Sequence, residues 1–404
     1  MFQYLQISNP VERTLVGLVD LALWIVTAPL RALGSPGAAP PRRVLAFRLE
    51  RVGDLLMTRP ALRALRHAFG STSIDLVVGS WNAPLARLLP EVDRVFELDV
   101  GWLARGAPSS RVMDTVGRIR EWRRGGYDIA INFEPDVRSN LLLWTTGAPR
   151  RFGFRSSGGG QALTVGLDYD PSVHSAFNSL RLVASLTGET PVEADLATAP
   201  LVLPEVAVRA AASRLSAAGR FPPDHPFIAV HPSGGRLVKQ WDLGRLAEAS
   251  VSVARSVGAS LVVTGSTSDR QVVDGFLGHL PPGMSVLDLT GRLDLVELAA
   301  VLRRCRLFLG SDSGPMHLAA AVGTPVVAVF GPSSPVRWGP LGGAVAVARA
   351  DLPCSPCNRI RNPPQRCRGG VPDCLRGVDA PDVVGPALEL LRRSPLAERI
   401  DASR

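Results

Sequence analysis

GSDSGPMHLAAAVGTPVVAVFGPSSPVRWGP, residues 310–340, holds the pattern that decides the fold. An apolar run, Leu307-Phe308-Leu309, stops at a small polar cluster, Ser311-Asp312-Ser313-Gly314. A helical pattern starts at Met316-His317-Leu318, and a second apolar run, Val326 to Phe330, ends in Gly331-Pro332. Short apolar runs separated by helices point to a parallel sheet covered on both faces. Small residues at a strand-to-helix turn let backbone N–H groups approach a ligand, and the helix start adds partial positive charge. That combination suits a phosphate. Ser311, Ser313 and the backbone of the Gly314–Met316 stretch can donate, and His317 can reach back from the first turn. Asp312 is awkward beside a phosphate; it is suited to capping the helix, orienting His317 or accepting from a ribose hydroxyl.

The same grammar runs outward along the chain. Strands are expected at Val44–Phe47, Ile74–Val78, Val95–Leu98 and Ile129–Phe133, with helical segments at Pro60–Phe69 and 111–124. Residues 150–200 are less regular, and Gly158-Gly159-Gly160 is expected to be a mobile loop. After Pro222-Pro223 the pattern restarts, with strands at Phe227–Val230, Leu261–Thr264, Val286–Leu289, Leu307–Leu309 and Val326–Phe330. Helices 243–257, 268–280, 295–304, 315–322 and 381–393 alternate with them. A chain of 404 residues exceeds one ordinary core. The fold class read from this is α/β, two doubly wound domains joined near 204–224, spanning 42–205 and 206–393 with a tail at 394–404. In such sheets ligands bind beyond the carboxyl ends of strands, and with two domains the expected site is the cleft between them.

That rule makes the residues just after strands informative. The first strand leads into Arg48-Leu49-Glu50-Arg51-Val52-Gly53-Asp54. Strand 227–230 leads into His231-Pro232-Ser233-Gly234-Gly235, with Lys239 and Trp241 shortly after. Strand 261–264 leads from Thr264 into Gly265-Ser266-Thr267-Ser268-Asp269. Simple helix capping and the diphosphate reading are level for residues 311–317 alone. Ser233-Gly234-Gly235 and Lys239 in the same half tip the balance to a diphosphate site, with Lys239 as the cation that a leaving diphosphate needs.

Composition narrows the classes. Apolar residues make up 46 % and charged residues 20 %, which is ordinary for a globular protein. The net charge of +9 comes mostly from arginine, and lysine is almost absent. No dense basic run or aromatic-studded basic motif favours nucleic acid. No G-x-G-x-x-G or Gly-Lys-Ser/Thr loop occurs, so NAD enzymes and P-loop nucleotidases lose support. Asp168-Tyr169-Asp170 resembles a D-x-D metal motif but falls in an irregular loop and reads as chance. Cys354, Cys357, Cys367 and Cys374 have a count and spacing that could bind a structural zinc; a disulfide or plain thiols stay open. Cys305 sits in a helical pattern as a core residue.

Residues 14–33 are mostly apolar, with Arg13, Gly17, Asp20, Trp24, Thr27 and Arg31 recurring at helical spacing as one narrow stripe. Asp20 and the Pro29–Arg31 end spoil a membrane-spanning helix; Asp20 also weakens a signal peptide, although Ala32-Leu33-Gly34 could pass for a cleavage site. An amphipathic helix in the membrane interface fits better, beside the alternative of a helix packed on the protein's own body. The Gly/Pro/Ala stretch 34–41 reads as a linker, so 1–41 stands apart from the first domain.

At this point the residues become recognisable. Over about 44–391 the chain resembles bacterial glycosyltransferase family 9, the heptosyltransferases that extend the inner core of lipopolysaccharide. The resemblance is carried by Arg48 through Gly53-Asp54 with Pro60-Ala61-Leu62, and by His231-Pro232 with Lys239 and Trp241. Asp312-Ser313-Gly314-Pro315-Met316-His317 carries it furthest, running into Gly323-Thr324-Pro325, Phe330-Gly331-Pro332 and Trp338-Gly339-Pro340. It implies a GT-B fold of two facing Rossmann-like domains and an inverting, metal-independent transfer with no required cofactor. The donor would be a nucleoside-diphosphate sugar with ADP as the expected diphosphate, and the acceptor a glycolipid at the inner face of the cytoplasmic membrane. Asp54 matches the family's general base. Lys239 and the helix start at Gly314 match the groups that stabilise the leaving phosphate. Thr264, Gly265 and Asp269 lie where the family holds the nucleoside. Arg48, Arg138 and the Arg150-Arg151-Arg155 group match regions associated with the acceptor. Ser233 stands where glycine is usual, Glu50 replaces a common small residue, and the N-terminal segment is extra. A transferase using another nucleotide sugar, and an inactive nucleotide-sugar-binding relative, are the alternatives; retention of both Asp54 and Lys239 argues against the second.

Overall fold

The computed structural model describes residues 5–7, 9–26, 39–103, 112–216, 220–360 and 363–393. Two compact units divide the chain, Met1–Leu196 and Ala197–Arg404.

In the first unit β1 (Arg43–Phe47), β2 (Ser73–Val78), β3 (Arg94–Glu97), β4 (Ile129–Asn132), β5 (Arg150–Phe154) and β6 (Val165–Leu167) form one sheet in the order β3-β2-β1-β4-β5-β6. Every pairing is parallel. The helices longer than one turn are α1 (Pro10–Val26), α2 (Val52–Ala68), α3 (Val112–Gly125), α4 (Val137–Thr145) and α5 (Ser175–Thr187). Parallel neighbours need a crossover segment, so side chains on both sheet faces meet helices. Accordingly Val44, Leu45, Ala46 and Phe47 are all fully buried, and Trp122 of α3 stacks edge-on against Phe47 at 5.2 Å.

The second unit repeats the plan. Strands β7 (Phe227–His231), β8 (Ser260–Val263), β9 (Val286–Asp288), β10 (Leu307–Ser311), β11 (Val326–Val329) and β12 (Val345–Ala348) take the order β12-β11-β10-β7-β8-β9. Its helices are α6 (Glu205–Ser216), α7 (Leu243–Ser256), α8 (Arg270–Gly278), α9 (Leu295–Arg304), α10 (Gly314–Ala321) and α11 (Ala380–Arg393). Val230, Leu261, Val263, Leu307 and Leu309 meet Val253, Phe276 and Leu391 in one core cluster. In both units the first strand lies mid-sheet and the chain winds outward first to one side, then to the other. The switch points are β1/β4 and β7/β10. There the loops leaving adjacent strands diverge and leave room for a ligand.

Several elements differ from expectation. The unit boundary falls earlier than 204–224, because Leu201 and Leu203 are buried and the Leu201 N–H donates to the Ala321 carbonyl at 2.9 Å. β5, β6 and α5 lie within the stretch that read as less regular, and α6 and β12 are elements the sequence reading did not name. β5 is hidden by its composition, Arg-Arg-Phe-Gly-Phe, and β6 by its length of three residues. Gly158-Gly159-Gly160 is not the mobile loop anticipated. Gly158 (φ +94°) and Gly159 (φ +72°) are buried, and the loop is covered by α1. No helix among the described residues is long and apolar enough to cross a membrane.

Gly310 is fixed by packing. A Cβ there would stand 3.0 Å from the His231 carbonyl oxygen and 3.1 Å from the Phe308 ring. The carbonyl belongs to the neighbouring strand and cannot retreat without breaking the β7–β10 ladder. Gly310→Val should therefore cost about 1–3 kcal/mol of stability, read as a lower urea midpoint at unchanged slope; an unshifted midpoint would show that the strands can part.

Candidate active site

At the β7/β10 switch point, Asp312 and Ser313 leave β10 and enter α10. Ser313 is the residue before the helix, in extended backbone, yet its side chain caps nothing. Its hydroxyl is buried and has no hydrogen-bond partner among the described residues. A polar group shut away without a partner costs free energy, so an unsatisfied hydroxyl at a helix start points to a ligand. Asp312 is held by side chains from two other strand-end loops. Its Oδ2 pairs with Lys239 Nζ at 2.9 Å and accepts from the Ser333 hydroxyl. Lys239, the one lysine of the chain, is thereby held at the strand edge with its side chain 17 % exposed.

The loop after β7 folds tightly onto the same region. A Cβ on Gly234 would lie 2.7 Å from the Lys239 carbonyl carbon, so glycine is required where this loop crosses the backbone of Lys239. Ser233 is buried and its Oγ accepts from the Gly235 N–H at 3.2 Å. The Trp241 N–H donates to Ser311 Oγ at 3.3 Å, joining the loop to the end of β10. His231 is buried with Nδ1 3.2 Å from Thr264 Oγ1, and burial pushes its imidazole below the ordinary value. Beyond Thr264, a Cβ on Gly265 would touch Asp269, Thr290 and Val273, all at 3.2 Å. Burial pushes the Asp269 carboxyl up, but hydrogen bonds from Ser266 and Ser233 outweigh it and hold the group below its usual range. The structure thus gathers Ser233, Gly234, Lys239, Thr264, Gly265, Asp269 and residues 311–317 at the carboxyl ends of β7, β8 and β10. Pro315 occupies the first turn of α10, and Met316 and His317 are buried in it.

At the β1/β4 switch point a charge cluster is built around Arg48, which is 2 % exposed. Its guanidinium donates to the Phe133 carbonyl and to the Asp54 carbonyl (3.2 Å), and lies 3.3 Å from Glu50 Oε2 and 3.4 Å from Asp54 Oδ1. Asp54 sits in the first turn of α2, where its Oδ2 also accepts from the Arg51 N–H at 3.1 Å. That leaves the Asp54 side chain 23 % exposed, held by a cation on one side and open on another. Glu134, which the sequence reading missed, closes the cluster. It accepts from the Leu49 N–H and the Ser139 hydroxyl, and burial raises its carboxyl despite them. Its position directly after an apolar strand was the available signal. Arg48, expected among acceptor ligands, is instead enclosed and tied to both loops of the switch point.

The other arginines are also engaged. Arg138 pairs with Asp136 and lies 4.9 Å from the Trp102 ring centre. Arg155 makes a two-pronged pair with Asp168 at 3.1 and 3.0 Å, which accounts for part of the D-x-D look-alike. Arg151 donates to the Ala162 and Ala148 carbonyls, both at 2.6 Å, and so fastens the turn after β5. The four clustered cysteines line a cavity of about 290 Å³. All five cysteines are free thiols, and burial pushes Cys374 up to about 11. Among the described residues no group of three or more His, Cys, Asp or Glu is placed to hold a metal ion.

Two doubly wound six-stranded units, each with its polar residues at its own switch point, are the architecture of the GT-B glycosyltransferases. A glycosyltransferase family 9 (heptosyltransferase) model matches residues 118–367, and the chain belongs to that family. Lipopolysaccharide heptosyltransferase 2 of Salmonella typhimurium is 27 % identical over 319 residues, covering 76 % of this chain and 88 % of that protein. Among solved structures, the family 9 glycosyl transferase of Veillonella parvula aligns with a TM-score of 0.75 at 23 % identity, over 89 % of this chain and 100 % of that one. The Escherichia coli heptosyltransferase WaaC with ADP aligns with a TM-score of 0.56 at 19 % identity, over 76 % and 93 %.

The cluster at the first switch point has a pH signature. Desolvation, then the neighbouring Asp54, Glu134 and Asp136 carboxylates, push Glu50 up to about 8, and Arg48 only partly opposes them. The folded chain therefore keeps a proton on Glu50 that the unfolded chain releases above the ordinary carboxylate range, so this residue's contribution to stability falls as pH rises to about 8. Thermal melts of wild type and Glu50→Gln should diverge in favour of the variant as pH rises from 5, and run parallel above about 8. A constant offset would place Glu50 among ordinary carboxylates.

Proposed function

We propose that this enzyme moves a heptose or closely related sugar from a nucleoside-diphosphate donor to a lipopolysaccharide-core-type glycolipid, with inversion and without a resident metal. The observation that carries the reading is the buried, unpartnered Ser313 hydroxyl at the start of α10, in the same strand-end loops as Lys239. A diphosphate supplies the acceptor oxygens that such a hydroxyl lacks, and the helix start and Lys239 supply the positive charge it calls for. ADP is the preferred diphosphate because WaaC was solved with it. Thr264, Gly265 and Asp269 would hold the nucleoside.

In this scheme the acceptor hydroxyl oxygen forms a bond to the anomeric carbon as the bond from that carbon to the diphosphate oxygen breaks. The hydroxyl proton passes to Asp54, and the electron pair of the broken bond leaves on the diphosphate. Arg48 fixes the orientation of Asp54, which a general base needs before reaction. Lys239 and α10 meet charge as it grows on the leaving phosphate, an arrangement that requires no reorganisation during the step. Arg138 and Arg155 keep exposed guanidinium edges for anionic groups of the acceptor. The reaction would take place at the cytoplasmic face of the membrane that carries the glycolipid.

Calorimetric titration with ADP, UDP, GDP and CDP tests the donor half: ADP should bind tightest, and binding of none by folded protein would end the reading. Lys239→Ala should weaken ADP by roughly tenfold or more, the worth of one charge-assisted hydrogen bond; unchanged affinity would remove Lys239 from the phosphate site. Asp54→Asn should leave ADP affinity intact and slow transfer by about 10²- to 10⁴-fold, and near-normal turnover would exclude Asp54 as base.

A further inference from the structure

Helix α1 is docked the wrong way round for a helix that belongs to a soluble core. Its buried residues are Gly17 and Asp20, with Arg13, Val16 and Leu23 partly covered beside them on the same stripe. Asp20, 4 % exposed, accepts from the Gly159 N–H at 2.6 Å. Gly158 packs so closely that a Cβ there would fall 2.2 Å from a methyl of Val16. Just upstream, Gln6 ties the segment down through its backbone to Ser156 and through its side chain to Tyr169, and Leu5 is 3 % exposed. A polar, small-residue stripe thus faces the protein.

The opposite face carries Leu15, Leu18, Val19, Leu21 and Ile25, each between 41 % and 61 % exposed. Of the fifteen large hydrophobic residues that stand exposed among the described residues, eight are on this one helix, so the pattern is not the ordinary scatter of surface apolar groups. At about 100° per residue the outward apolar arc covers roughly 160° and carries no charge after Glu12. A partner helix needs a narrow seam of apolar residues, whereas a helix half-sunk among lipid chains needs a broad one.

We infer that α1 is a membrane-seating element, held to the first unit by its polar stripe and presenting its apolar face to the interfacial region of an anionic bilayer. Charge argues for the same occupant. The chain carries a net +9, and exposed arginines border the helix: Arg138 lies within electrostatic reach of Glu12, and Arg155 packs on Gly160 in the loop that α1 covers. Trp24, near the end of the helix, suits the headgroup level, and Arg31 follows shortly in sequence. On this inference the two readings of residues 14–26 are complementary, one for each face; residues 27–33 lie outside the described residues. Attachment at this point would bring Arg138 and Arg155 to the lipid surface. Only this benefit rests on the proposed glycolipid acceptor; the binding itself does not.

Flotation of the full chain with vesicles of phosphatidylcholine, and of phosphatidylcholine mixed with phosphatidylglycerol, tests the assignment. Wild type should float, more completely with the anionic mixture. Leu18→Glu/Leu21→Glu/Ile25→Glu should reduce the bound fraction at least tenfold while circular dichroism and ADP titration stay as in wild type. Val206→Glu, which alters an exposed valine on α6, should float like wild type. Equal flotation of the triple variant would overturn the inference. So would a wild type that ignores vesicles but forms a dimer, by light scattering, that the triple variant loses; the face would then belong to a second copy. Flotation without any nucleotide binding would instead retire the proposed reaction and leave the seating role standing.

Discussion

Parallel pairing constrains everything else in this chain. Because each strand must be followed by a crossover before its neighbour can be laid down, both sheet faces are covered and the strands themselves have no polar surface to offer. Chemistry is confined to the strand ends, and above all to the places where the winding direction reverses. In the order β3-β2-β1-β4-β5-β6, and again in β12-β11-β10-β7-β8-β9, that place is beside the first strand of the unit. The loops with the most unusual residues, 48–54 and 133–134 in one unit and 231–239 and 311–317 in the other, leave the strands flanking those two positions.

Both switch points solve the same electrostatic problem, a cation held close to the sheet, and solve it differently. Arg48 is almost fully enclosed, so its charge must be met on several sides: the carboxyl groups of Glu50 and Asp54 at 3.3 and 3.4 Å and backbone carbonyls together replace its water. Such a group orients its neighbours and is costly to leave half-paired. Lys239 is less buried and has Asp312 as its carboxylate partner at 2.9 Å, an arrangement in which an incoming anion can compete for the ammonium. The first cation suits a fixed scaffold for a base, the second an adaptable contact for a phosphate.

The N-terminal helix inverts the usual division of a surface helix. A buried carboxylate that caps a glycine-loop amide replaces apolar packing as the anchor, and the apolar surface is left outward. Gly158 and Gly159 make this possible, since both adopt positive φ and the first has no room for a side chain beneath α1. Glycines that looked like slack in the chain are where it is most closely packed.

Sequence alone determined the class of fold and the loops that matter. Apolar runs alternating with helical periodicity are a local property, and strand-end turns rich in glycine and serine announce themselves by composition. Strands with charged or very short sequences, β5 and β6, escaped because tertiary pairing rather than propensity makes them strands. Lys239 and residues 311–317 stood out for the same local reason, whereas the role expected of Asp54 came from the family resemblance. What the tertiary structure decided was partnership. That Asp312 serves Lys239 and Ser333, that Arg48 is enclosed with Glu134, that Ser313 is left unsatisfied and that α1 turns its apolar face outward are relations between residues distant in the chain. Spacing along a sequence records which side chains an element offers; only the packing of one element on another fixes which of them meet, which are buried and which remain for a partner.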